Sequence, residues 1–149
     1  MPFTLSNLAA GMACLSVLGC SPVPDSEARQ EPPLANTVWV LAELAGHSVT
    51  VPPNMRLVDL RFQPRSRFTG FTGCNVLAGR YEATDTRLEF REPLTTTLGI
   101  CPAPVIREQE RELLDALRRT TRYEVAGSWL NLYAENELVA RFVPWPAGR

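Results

Sequence analysis

The sequence contains no lysine: all fifteen basic residues are arginine, set against sixteen acidic residues and a single histidine, His47. That arginine-only set fits a GC-rich coding sequence and carries no function by itself. Near-cancelling charge and a pI near 5.9 leave no electrostatic footprint for nucleic acid or an anionic membrane face, so both are excluded as electrostatic partners. There is no Cys-x-x-Cys, no histidine pair and no Asp-x-Asp-x-Asp-Gly run, which removes the usual zinc and calcium spacings. Gly70, Gly73 and Gly79 lack both a Lys-Ser/Thr end and GxGxxG spacing, so no phosphate-cradling loop is formed. No metal and no cofactor is expected.

What is present begins with a leader. Residues 3–19 are apolar or small and carry no charge before Asp25, and the run is shorter than the roughly 20 residues of a membrane helix, so it reads as a secretory signal. Its end, Val17-Leu18-Gly19-Cys20, looks like a bacterial lipobox, in which the Cys20 thiol takes the lipid thioether and opens the mature chain. Leu18 stands where a small residue is usual, and the leader has no Lys or Arg. An ordinary cleaved signal with an incidental Cys20 is the alternative; Cys14 leaves with the leader in either case. Residues 20–36, rich in Pro, Ser and Glu, read as a disordered tether after the lipid. Ser21, in place of Asp at the second mature position, favours the outer membrane, facing the periplasm. The expected organisation is signal 1–19, lipidated Cys20 and tether 20–36, folded domain 37–143 and tail 144–149.

Within the domain, Thr37 to Leu44 alternates, Val38, Val40 and Ala42 against Trp39, Leu41 and Glu43, and is rich in strand formers. Further strands are expected at 57–62, 67–71, 78–83, 88–91, 122–126, 129–133 and 138–143, joined by short turns. Residues 92–104, with three prolines, read as irregular. Val105 to Thr120 places Ile106, Glu110, Leu113, Leu114 and Leu117 near 3.6-residue spacing and predicts the one amphipathic helix. Glu108, Glu110, Arg111, Glu112, Arg118 and Arg119 read as its wet face. The fold class is mostly β (α+β): an antiparallel meander curved into an open barrel or half-barrel, with the helix packed against it. The chain is long enough to bury roughly two thirds of its unfolded surface.

The centre of the domain is Gly70-Phe71-Thr72-Gly73-Cys74-Asn75, continuing to Gly79-Arg80-Tyr81. Two glycines three apart make it a tight bend between strands. With the opening Trp39-Val40-Leu41, the later Thr97-Leu98-Gly99-Ile100-Cys101, a helix and Trp129-Leu130-Asn131-Leu132, it resembles the META domain, the family of the HslJ heat-shock lipoprotein. The resemblance covers most of residues 37–143 and rests on Trp39, Gly70, Gly73, Cys74, Asn75, Gly79, Tyr81, Thr97 and Cys101. It departs where the family's Met-Ala is replaced by Gly99-Ile100. It implies a non-enzymatic envelope lipoprotein in stress tolerance or resistance, a monomer that binds an envelope protein or a small ligand.

With Cys20 taken by lipid, Cys74 and Cys101 remain as an even pair in an oxidising compartment and are expected to form a disulfide. The family carries cysteines at both equivalent positions. Three rival functions stand beside the binding reading. A small inhibitor or protein-interaction module would use a rigid exposed loop, 47–56 or 92–104, with a charged tip. A lipocalin-like binder of an apolar molecule would need Trp39, Phe62, Tyr81, Phe90 and Trp129 to line an unfilled interior. An enzyme would use Cys74 as nucleophile, His47 as base and Asn75 as orienter. Glu89 and Glu92 read as solvated charges rather than an acid/base pair.

Overall fold

The computed structural model describes residues 31–101 and 103–145. The expected signal peptide, Cys20 and most of the expected tether lie outside the described residues. The elements are β1 (Val38–Leu44), β2 (His47–Ser48), β3 (Asp59–Gln63), β4 (Arg67–Phe71), β5 (Val76–Ala83), β6 (Leu88–Thr96), α1 (Pro104–Arg119), β7 (Arg122–Ala126), β8 (Trp129–Ala134) and β9 (Glu137–Pro144). They form a single antiparallel sheet in the order β6-β5-β4-β3-β1-β9-β8-β7, with β2 paired to β1.

Two meanders, β3 to β6 and β7 to β9, are stitched together by β1. Arg65 and Ser66 take positive φ in the β3–β4 turn, which lets so short a connection follow the strand twist. The sheet curls into a half-barrel whose outermost strands meet at one end. There the Leu88 N–H donates to the Thr121 carbonyl (3.3 Å) and the Tyr123 N–H to the Thr86 carbonyl (3.0 Å).

Alternation fills the concave face. Trp39 and Leu41 of β1, Leu60 and Phe62 of β3, and Phe68 of β4 point inward, and α1 covers them with Leu113, Ala116 and Leu117. Phe62 meets Tyr81 edge-on at 5.0 Å, and Phe68 meets Phe90 edge-on at 4.9 Å. Trp39, fully buried, donates its indole N–H to the Leu34 carbonyl at 3.0 Å. These aromatics pack the interior that a lipocalin-like binder would need open. Trp129, expected among them, instead lies under the Arg141 guanidinium at 4.4 Å.

Three features depart from the sequence expectation. A bulge between Leu41 and Glu43 shifts the β1 register, so Leu44 turns into the core and Glu43 turns out to pair with Arg141. β6 runs on through Pro93 to Thr96 rather than ending at Arg91; it is an outer strand, and Pro93 falls where the β5–β6 register shifts and residues 92–94 have no ladder partner, so its missing N–H removes no ladder bond. Residues 34–36 attach to the domain, with Leu34 packed on the core and the Asn36 N–H donating to the Phe62 carbonyl at 3.0 Å.

Candidate functional site: a polar clasp and the loop it holds

The bend between β4 and β5 is shaped by glycine. A Cβ on Gly70 would lie 2.3 Å from the Asp59 carbonyl oxygen, so only glycine lets β4 approach β3 there, and Gly73 turns the chain at φ +95°. Thr72, fully buried, completes the turn: its N–H donates to the Asn75 carbonyl (2.9 Å), and its hydroxyl accepts the Asn75 N–H (2.9 Å).

Asn75, 6% exposed, is the hub. Its amide nitrogen donates to both carboxylate oxygens of Glu110 on α1, at 3.0 and 3.1 Å. Its amide oxygen accepts the Thr97 hydroxyl at 2.9 Å and the Gly99 N–H at 2.6 Å. The Thr72 hydroxyl donates to Glu110 at 2.6 Å. One side chain thus ties together the β4–β5 bend, the segment following β6, and the helix. The Cys74–Cys101 disulfide closes the same ring covalently, with a Cα–Cα distance of 5.1 Å, and a sulfur of the pair lies 3.7 Å from the Glu110 carboxylate.

The structure therefore brings Gly73, Cys74, Asn75, Thr97 and Cys101 into one clasp. The other motif residues serve the core: Trp39 fills it, Gly79 lies under the Phe68 ring, where a Cβ would be 2.7 Å from a ring carbon, and Tyr81 packs on Phe62 and donates to the Gln63 carbonyl at 3.3 Å. Burial pushes the Tyr81 phenol above its ordinary pKa. The nucleophile reading of Cys74 falls, because its sulfur is bonded to Cys101, and His47 sits exposed in β2. Cys74, Cys101 and Glu110 group closely enough to suggest metal ligation, yet two sulfurs joined to each other offer no thiolate to an ion.

Glu110 is a correction: it was expected on the wet face and instead is half-buried in the clasp. Its place in the Ile106, Leu113, Leu117 stripe was the available signal. Nothing in the spacing or composition of the sequence marks the roles of Thr72 and Gln109. Buried Gln109 accepts the Thr50 N–H at 2.8 Å and donates to the Thr50 carbonyl at 3.2 Å, pinning the loop after β2 to α1. Below the clasp, Glu92 accepts the Leu94 N–H and an Arg118 hydrogen bond at 2.7 Å. These hold its carboxyl below the usual carboxylate range, the backbone contact contributing most.

What the clasp holds is the loop from Thr97 to Cys101. Its Leu98 and Ile100 side chains are 99% and 100% exposed, while Thr97 and Gly99 on either side of Leu98 are bound to Asn75 and Cys101 to Cys74.

Among solved structures, an NMR structure of a protein from Burkholderia xenovorans is similar with a TM-score of 0.62 at 26% identity, covering 85% of this chain and 99% of that one. A second NMR structure is similar with a TM-score of 0.57 at 19% identity, covering 72% of this chain and 88% of its own, a likeness of fold alone. No curated protein matches. The META domain model matches residues 32–144, a span that takes in Leu34 under the core tryptophan, every residue of the clasp and the last strand. With core and clasp both inside that match, the chain belongs to the META domain family.

Proposed function

We propose that this protein is a non-enzymatic, lipid-anchored periplasmic binding module, acting in envelope stress or resistance, that captures a protein partner with its Thr97–Cys101 loop. The observation that carries the reading is the full exposure of Leu98 and Ile100 on a loop fixed at three of its five residues. Large apolar side chains left wholly in water gain nothing for folding, and an exposed apolar patch marks a recognition surface. Half-exposed Val76 and Val105 extend it: the Val76 carbonyl accepts the Thr97 N–H and the Val76 N–H donates to the Thr97 hydroxyl, and Val105 lies in the first turn of α1. A loop already ordered in the free protein loses little entropy on docking, so its contacts convert efficiently into affinity.

Of the alternatives weighed from the sequence, this favours the protein-interaction module, with an apolar tip in place of the expected charged one. The matching surface is an apolar cleft on an exported protein. The Val17-Leu18-Gly19-Cys20 lipobox and the Pro-rich stretch after it support tethering at the outer membrane.

A photo-crosslinking residue placed at position 98 in cells tests the reading. The expected result is a discrete protein adduct that disappears with Ile100→Ser and is missing when the crosslinker sits at exposed Glu135. Equal labelling at both positions refutes it. Intact mass of the membrane-extracted protein tests the anchor: a chain starting at Cys20 and heavier by a lipid is expected, and a lipid-free mature chain overturns it.

A further inference from the structure

On the convex face of the sheet, away from the clasp, β1 and β3 leave an open pocket of about 320 Å³, at the lower end of the range for small-molecule sites. Its walls are apolar: Val38 and Val40 from β1, Met55 and Leu57 from the segment before β3, and Trp145 just past β9. Three charged side chains line the same pocket, Arg56, Asp59 and Arg61.

Asp59 is only 4% exposed, which for a carboxylate demands compensation. Arg56 supplies it from one side, donating through Nε and Nη2 to Oδ2 at 3.1 and 2.7 Å. Arg61 approaches Oδ1 to 3.4 Å without making a hydrogen bond, and among the described residues Oδ1 has no hydrogen-bond partner. Two guanidinium groups therefore flank one carboxylate, leaving one positive charge in excess beside an apolar hollow. Among the described residues, Nη1 of Arg56 and the Nη1 and Nη2 atoms of Arg61 donate to nothing. The Arg56 guanidinium also rests over the Phe71 ring at 4.8 Å, which fixes its position. Asp59 thus takes the Nε–Nη2 fork of Arg56 but leaves Arg56 Nη1 and the whole Arg61 guanidinium without a hydrogen-bond partner among the described residues, and a guanidinium fork left free beside an apolar hollow suits a carboxylate or phosphate.

We infer that this pocket is a binding site for a small amphiphile: an apolar ring system or short acyl body lying against Val40, Leu57 and Trp145, with a single anionic head on Arg61 and Arg56. A cation is disfavoured, since the only carboxylate among the described residues lining the pocket is already outnumbered. The site is separate from the Leu98–Ile100 loop and does not depend on the function proposed for that loop.

The test uses 2-naphthoate as the anionic probe and 2-naphthylmethylammonium as its cationic counterpart, titrated into the full 149-residue chain and followed by calorimetry and by tryptophan fluorescence. Saturable one-to-one binding of 2-naphthoate is expected, with no saturable binding of the amine. Arg61→Gln, at a half-exposed position, is expected to weaken 2-naphthoate roughly ten- to hundredfold, the loss of a charge-assisted hydrogen bond. Trp145→Ala, which removes only a half-exposed side chain, is expected to weaken it as well, with both variants melting as the parent does. The inference is overturned if 2-naphthoate does not saturate, if the amine binds as tightly, or if both variants bind 2-naphthoate as the parent does.

Discussion

Replacing Asn75 by alanine isolates the clasp from the core, because the side chain ties its own bend to two other segments and is not part of the hydrophobic core cluster. The substitution removes the amide donor to the Glu110 carboxylate and the oxygen that accepts from Thr97 and Gly99. A hydrogen bond to a charged group contributes about 1.5–3 kcal/mol and a neutral one about 1 kcal/mol. Thr97 and Gly99 are reached by water, which replaces part of their loss, so the expected cost is about 2–4 kcal/mol. That is a large share of the about 5–15 kcal/mol that stabilises a typical domain. Urea unfolding monitored by fluorescence measures it, the midpoint falling with little change in slope.

The sharper test is a double-mutant cycle. If Asn75 and the disulfide hold the same loop, Asn75→Ala in a Cys74→Ala, Cys101→Ala background has less order left to lose, and its cost should shrink by about 1 kcal/mol. Equal costs in the two backgrounds, or a cost below about 0.5 kcal/mol in the parent, would refute the clasp. Asn75→Asp adds a sign test. Its carboxylate faces that of Glu110, so one of the pair acquires a folded pKa above its unfolded value, and the variant should regain stability as pH falls through that raised pKa.

Four further outcomes follow from the geometry. Reducing the disulfide, which closes a separation of 27 residues, should cost about 3.5 kcal/mol in urea unfolding by the chain-entropy estimate, and should speed hydrogen exchange at the Gly99 amide. Gly70→Ala forces a Cβ to 2.3 Å from the Asp59 carbonyl oxygen and should destabilise by about 2–4 kcal/mol in thermal melts, more than a flexible neighbour would permit. Because Glu92 has its folded pKa depressed by the Leu94 N–H and Arg118, the parent should be more stable than Glu92→Gln at neutral pH, and the difference should vanish as pH falls through that depressed value. Leu98→Ser with Ile100→Ser should leave the melting temperature unchanged, within about 0.5 kcal/mol of stability, while abolishing partner capture.

The strands of the domain were legible wherever one face met the core and the other met water, because that contrast writes a period of two into the sequence. It worked for Leu60 and Phe62 on β3 and for Leu130 and Leu132 on β8. It failed on β1 after Leu41, since a bulge inserts one residue without changing composition, and the inward position passed from Glu43 to Leu44. Pro93 misled in the opposite direction: proline breaks a central strand, but nothing in the local sequence announces that β6 is outermost. The clasp was half legible. Its cysteines, Asn75 and Thr97 lie in recognisable motifs, whereas Glu110 has the composition of a surface helix residue, and only its phase with Ile106 and Leu113 distinguishes it from Glu108. The pocket on the convex face was not legible, because its walls come from β1, the 55–57 segment and Trp145, which no sequence window contains together.

The placement of the strongest constraints bears on what the domain does. The core is already continuous through β3, β1, β9 and β8, with Trp39, Phe62 and Phe142 wholly buried. The disulfide and the Asn75 network act elsewhere, on a rim whose loop adds no side chain to the interior. The disulfide contributes to stability chiefly by limiting the unfolded chain and the Asn75 network by its hydrogen bonds, and in the folded state their visible consequence is that two apolar side chains stand in water at fixed positions. A loop needed only to connect β6 to α1 could be polar and loose, as surface connections usually are. An ordered loop with an apolar tip is the arrangement that recognition requires, since the ordering cost is met on folding and the desolvation gain is kept for the partner.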